Sequence, residues 1–140
     1  MNYQFTNLLP QYMEKICVNY APHRNKEGLN HTQIKILMII GMNQSLPLTE
    51  LSSHAMIDKG AISRIITKLV KEDIVKKENR SAGMRTTMIS LTPMGLILFE
   101  QNKIKLEEHI NHLFKGLNDE EQSEFQKAID ILEKYIERIE

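Results

Sequence analysis

The 140-residue chain has a single cysteine, Cys17. It can therefore form neither an internal disulfide nor a cysteine-based zinc framework. Long apolar runs are also missing. The longest, Ile36-Leu37-Met38-Ile39-Ile40, is far short of the about 20 residues that a membrane span needs. The opening residues, Met1-Asn2-Tyr3-Gln4-Phe5, show no basic stretch followed by an apolar block. No secretory signal is expected, and the cytoplasm is the expected compartment. A Gly-rich phosphate loop, a Gly-x-Ser-x-Gly elbow and a cleft-like carboxylate pair are all absent, which argues against an enzyme and calls for no cofactor. Repeats and low-complexity tracts are absent too.

What is present is ordinary globular material, 41% hydrophobic and 26% charged, in a length that suits one domain. Net charge is zero, 18 Lys and Arg against 18 Asp and Glu, but the balance is local. Residues 58–92 hold eight basic side chains (Lys59, Arg64, Lys68, Lys71, Lys76, Lys77, Arg80 and Arg85) against four acidic ones, while residues 93–140 hold six against eleven. A basic block in a neutral chain marks a candidate site for a polyanion, with the acidic end turned away from it.

Hydrophobic period and punctuation order the elements. Phe5, Leu8, Leu9, Tyr12, Met13, Ile16, Cys17 and Tyr20 make an amphipathic helix that Ala21-Pro22 ends. Asn30 and Gln33 form a capping box that opens a helix to about Met42, apolar nearly all round and so buried. Leu46-Pro47-Leu48 fits only a short edge strand. Thr49 is expected to cap a short helix carrying Leu51 and Ala55. Asp58 caps the next, which runs to about Asp73 with Ile62, Ile65, Ile66, Leu69 and Val70 inward. The period then changes to two over 74–78 and 86–91, a hairpin whose tip carries basic residues. Thr92 and Pro93 start a helix to about Lys115, and Asn118 with Glu121 starts the last one. The expected class is mainly α (α+β), and the order over 46–91 is that of a winged helix-turn-helix.

The helix at about 58–73 is the constellation with chemistry. Its apolar face leaves Lys59, Gly60, Ser63, Arg64, Thr67, Lys68 and Lys71 on the other side. A helix entering a major groove needs small residues near its start, which Gly60, Ala61 and Ser63 provide. It also needs side chains that reach base edges and phosphates, which Arg64, Thr67 and Lys68 provide. The short helix at 49–55 precedes it at helix-turn-helix spacing. Arg80 and Arg85 on the hairpin suit the neighbouring backbone or a narrow minor groove.

Over Asp58-Lys59-Gly60-Ala61-Ile62-Ser63-Arg64-Ile65-Ile66-Thr67-Lys68-Leu69-Val70, then Asp73-Ile74-Val75 and Leu91-Thr92-Pro93-Met94-Gly95, the chain resembles the multiple-antibiotic-resistance regulator (MarR) family of transcription factors. The resemblance is sharpest over 30–100. It implies a lobe at 30–92 that reads a pseudo-palindromic double-stranded DNA operator, with a recognition helix at about 58–73 and a wing at about 74–91. It also implies a homodimer whose N- and C-terminal helices, 1–21 and 93–140, interlace, and a small aromatic or amphipathic effector that releases the repressor. Family members usually carry an Asp two residues before the wing-tip Arg. Here Gly83 stands before Arg85, and Arg80 is placed to share its role. Dimerisation also follows from the residues. Phe5, Leu8, Leu132, Tyr135, Ile136 and Ile139 are apolar and lie outside a lobe too small to cover them.

Two further features have weaker chemistry. His109 and His112 lie three apart on a helix, with His23 and His31 as further donors, but no metal signature accompanies them, so no metal site is assigned. Cys17 is a candidate oxidant sensor in the manner of one branch of the resembled family, with Tyr12 and Tyr20 near in sequence. Its place on the apolar side also fits an inert core thiol. The other alternative is a winged-helix protein-interaction module that does not read DNA, and salt-dependent duplex binding separates the two.

Overall fold

The computed structural model describes residue 11 and residues 28–79 and 86–139. The expected first helix, with Phe5, Leu8 and Cys17, and the wing tip, with Arg80, Gly83 and Arg85, lie outside the described residues. So does His23. Two compact units divide the chain, residues 1–105 and 106–140.

In the first unit the described order is α1 (His31–Asn43), β1 (Ser45–Pro47), α2 (Leu48–Ala55), α3 (Lys59–Lys71), β2 (Val75–Asn79), β3 (Thr87–Leu91) and the start of α4 (Pro93–Phe114). This is a winged helix-turn-helix, mainly helical with one small antiparallel sheet. The strands lie in the order β1-β3-β2. β2 and β3 form the wing, paired from Val75 opposite Leu91 to Asn79 opposite Thr87. β1 covers the other edge of β3, with Leu46 opposite Ile89. Pro47 is tolerated there because it sits on the sheet's rim.

Local chemistry starts most helices as the pattern requires. Asn30 Oδ1 accepts from the Gln33 amide at 2.9 Å, and Gln33 Oε1 returns the bond to the Asn30 amide at 3.0 Å. α2 departs from expectation. Its N-cap is Pro47 (φ −61°, ψ 139°), with no side-chain cap, and Thr49 lies inside the first turn. The edge strand runs straight into the helix, and proline's fixed φ sets the entry without a capping side chain. α3 is also shorter than its pattern: Asp58 is its N-cap and Glu72 its C-cap.

The core is one cluster, with Ile36, Leu37, Ile40, Leu51, Ile62, Ile66, Leu69, Val75 and Ile89 at its centre. α1 supplies much of it, but its end is not enclosed, as Met42 is 66% exposed. On α3 only Ile62, Ile66 and Leu69 are fully buried. Ile65 is half-buried and Val70 is 37% exposed, so the inward face is narrower than five residues. Asn102, buried on α4, turns its amide back to the Leu98 carbonyl at 2.7 Å, the local bond that lets a polar side chain sit in an apolar interior.

The second unit holds the rest of α4 and α5 (Asp119–Ile139). Asn118 and Glu121 cap α5 reciprocally at 2.9 Å each. The Gln122 amide closes the loop by donating to the Phe114 and Leu117 carbonyls, both at 3.0 Å. Phe114 and Phe125 meet edge to face, centroids 5.1 Å apart. No residue of α5 is buried.

Candidate nucleic-acid interface

α3 presents the expected face. Lys59, Gly60, Ser63, Arg64, Thr67, Lys68 and Lys71 are all exposed, and Ala61 is half-buried at its margin. The first turn is held by Asp58, whose Oδ1 accepts from the Gly60 amide at 2.9 Å and the Ala61 amide at 3.2 Å. The carboxylate thus satisfies two of the helix's open donors and suits its positive end. Among the described residues the one ion pair is Lys76–Glu78 on the wing, 3.5 Å and exposed. The cations of α3 make no ion pair with a described residue, so they remain available to an external anion. Lys68 and Lys71 in the last turn also suit the helix's negative end.

Thr67 is more restricted than its type suggests. Its hydroxyl donates to the Ser63 carbonyl at 2.8 Å. With that proton committed inside the helix, Thr67 can offer a base edge its methyl group or an accepting oxygen. Arg64 keeps its full set of donors for a bidentate contact.

Residues not singled out from the sequence set the attitude of α3. Between α2 and α3 the chain turns through Met56, which adopts a left-handed conformation (φ 55°). Ser52 braces this turn: its hydroxyl donates to the Ile57 carbonyl at 2.5 Å, and its carbonyl accepts from the Ile57 amide at 3.2 Å. Lys35 on α1 reaches across to the Ala55 carbonyl at 2.7 Å, placing an ammonium at the end of α2. Ser52 falls within a short-range turn pattern. Lys35 is twenty positions from its partner, and no local signal could have found it.

Cys17, Arg80, Arg85, Phe5 and Leu8 lie outside the described residues. Leu132, Tyr135, Ile136 and Ile139 are on α5, all exposed. Among the described residues, no group of three or more His, Cys, Asp or Glu side chains could hold a metal ion, and no helix is long and apolar enough to cross a membrane.

The fold and this exposed basic helix define a winged helix-turn-helix protein. Residues 29–86 match the model of the MarR family, and over this segment the chain is similar to that family. The uncharacterized HTH-type transcriptional regulator YhjH of Bacillus subtilis is 28% identical over 102 residues, 71% of this chain. The chain spans only 58% of that relative's length. Among solved structures, FabT of Streptococcus pneumoniae in complex with DNA superposes with a TM-score of 0.75 at 17% identity, covering 99% of this chain and 100% of that one. BpsR of Bordetella bronchiseptica, whose DNA binding is regulated by 6-hydroxynicotinic acid, gives 0.72 at 19% identity, covering 93% and 98%.

Proposed function

We propose that this chain is a sequence-specific, double-stranded-DNA-binding transcriptional regulator, a repressor that works as a homodimer in the cytoplasm and is released by a small aromatic or amphipathic effector. The observation that carries the reading is the face of α3: small residues at its start, then Ser63, Arg64, Thr67 and Lys68 exposed, with no described partner for the cations. Gly60 and Ala61 let the backbone approach base edges, Arg64 is the base-reading donor, and Lys59 and Lys68 neutralise phosphate. Arg80 and Arg85 extend the contact to the neighbouring backbone or minor groove.

The lobe at 30–92 reads one half-site, and the helices at 1–21 and 93–140 join two copies. Half-site centres are then about one helical turn, roughly 10 bp, apart. An effector can change occupancy only by its differential affinity for two separations of the recognition helices. The family and the curated relatives are transcriptional regulators, and no catalytic role is assigned. The DNA complex of FabT and the effector-regulated DNA binding of BpsR support the same reading.

The test is selection of bound fragments from the source genome, followed by titration of the selected duplex at several salt concentrations. Affinity should fall steeply with salt. Arg64→Ala should weaken binding by about 1–3 kcal/mol while melting temperature and oligomeric state stay unchanged. Absence of salt-dependent duplex binding would instead favour the protein-interaction module.

A further inference from the structure

The end of the recognition helix and the start of α4 share one buried hydroxyl. α3 terminates with Asp73 in the left-handed region (φ 59°), the Asp73 amide donating to the Val70 carbonyl at 3.0 Å and the Ile74 amide to the Leu69 carbonyl at 2.9 Å. This closing pattern satisfies the helix's inner carbonyls and turns those of Asp73 and Ile74 outward. Thr92 takes both. Its hydroxyl donates to the Asp73 carbonyl at 2.5 Å with the Ile74 carbonyl at 3.2 Å, and its amide donates to the Ile74 carbonyl at 3.0 Å. The same hydroxyl oxygen accepts from the Gly95 amide at 3.0 Å and so caps α4.

The junction is tight as well as bonded. Thr92 is 7% exposed. A Cβ at Gly95 would overlap the Ile74 carbonyl oxygen, so nothing but hydrogen fits between the two backbones. A helix cap needs only an acceptor, which Asp, Asn or Ser supplies equally well. Gripping carbonyls on the other side needs a donor on the same short side chain. A hydroxyl supplies both.

We propose that Thr92 is a positioning residue for DNA reading: its hydroxyl locks the last turn of α3 to the first turn of α4, so the two move as one body. A shift of α4, whether from a partner subunit or an effector, is then passed to the recognition helix instead of being absorbed at the joint. This rests on the DNA-binding reading of α3.

The experiment uses the full-length protein and its selected operator, with one base pair inserted or removed between half-sites. One base pair moves a half-site by about 3.4 Å and rotates it by about 35°. Wild type should lose about tenfold or more in affinity for either altered spacing, as for a mismatched site. Thr92→Ser, which keeps donor and acceptor, should behave like wild type. Thr92→Val, nearly the same shape but with neither, should bind the three spacings within about threefold of one another.

If Thr92→Val melts at a lower temperature but discriminates spacings as steeply as wild type, Thr92 is a structural cap and the proposal falls. Amide hydrogen exchange in the wild type decides the matter should Thr92→Val fail to fold, or should no duplex be selected, the latter sinking the DNA-binding reading separately. A single opening free energy shared by the amides of Ile74, Thr92 and Gly95 supports the joint. Independent opening of Gly95 from Ile74 overturns it.

Discussion

Asp58 and Arg64 sit on the same helix and do separable work. Asp58 spends its carboxylate on the Gly60 and Ala61 amides, so Asp58→Ala should cost about 1 kcal/mol of stability, read as a shift in the chemical denaturation midpoint. Arg64 has no described partner, so its removal should leave that midpoint in place. Gly95 illustrates a different constraint. A Cβ there would run into the Ile74 carbonyl oxygen, and backbone cannot swing aside as a side chain does. Gly95→Ala should lower stability by about 1–3 kcal/mol by overpacking, and a thermal melt indistinguishable from wild type would show that the joint yields. At Gly41 the obstacle is the Phe99 ring, so the cost of Gly41→Ala depends on how far that ring can move. Roles of this local kind were legible in the sequence. Asn30 with Gln33, Asp58 with Ala61, and Asn118 with Glu121 are all three-residue patterns, and each is bonded as its pattern requires. Thr49 failed by the same logic, because a proline two steps earlier fixed the backbone without a side-chain bond.

Among the elements, the wing was legible because its period of two contrasts with the helices on either side. β2 runs one residue later than the expected 74–78 and β3 starts one residue after the expected 86, and their register brings Val75 and Leu91 together beside the core. The attitude of α3 was not legible, since Lys35, Ser52 and Thr92 fix it through bonds across 5 to 20 positions. Side-chain type predicts that Lys35 is a cation, not that it ends another helix. The wing's own contribution is testable through charge. If Arg80 and Arg85 touch phosphate, replacing either with Ala should flatten the salt dependence of operator binding by about one unit for each phosphate no longer neutralised. An unchanged slope in both variants would make the hairpin tip solvated surface, with Gly83 in place of the usual Asp as the physical reason.

For the whole molecule, the decisive feature is α5, whose apolar stripe is covered only in part. Phe125, Ile129, Leu132, Ile136 and Ile139 follow one another at steps of four and three, a continuous stripe along one helical face, yet Phe125, Leu132 and Ile136 are 41%, 45% and 43% exposed. A shallow groove runs between Ile129, Leu132 and Ile136, flanked by Glu133 and Glu137. Apolar surface arranged this way is suited to a second helix, which the proposed homodimer would supply. The sequence revealed the stripe, and the small size of the lobe already implied that the chain would not cover it; the exposure of Leu132, Tyr135, Ile136 and Ile139 agrees. Deleting the residues after Ser123 removes the stripe and should convert the dimer to monomer or aggregate in sedimentation. Operator affinity should fall with it, because joining two half-site readers supplies an effective concentration that separate lobes lack. The monomeric lobe should still show weak, salt-dependent binding to duplex through α3, which distinguishes loss of the dimer from loss of the lobe's fold. A truncated chain that stays dimeric and binds the full operator normally would place the interface elsewhere, and the coupling of effector, α4 and recognition-helix separation would lose its mechanical basis.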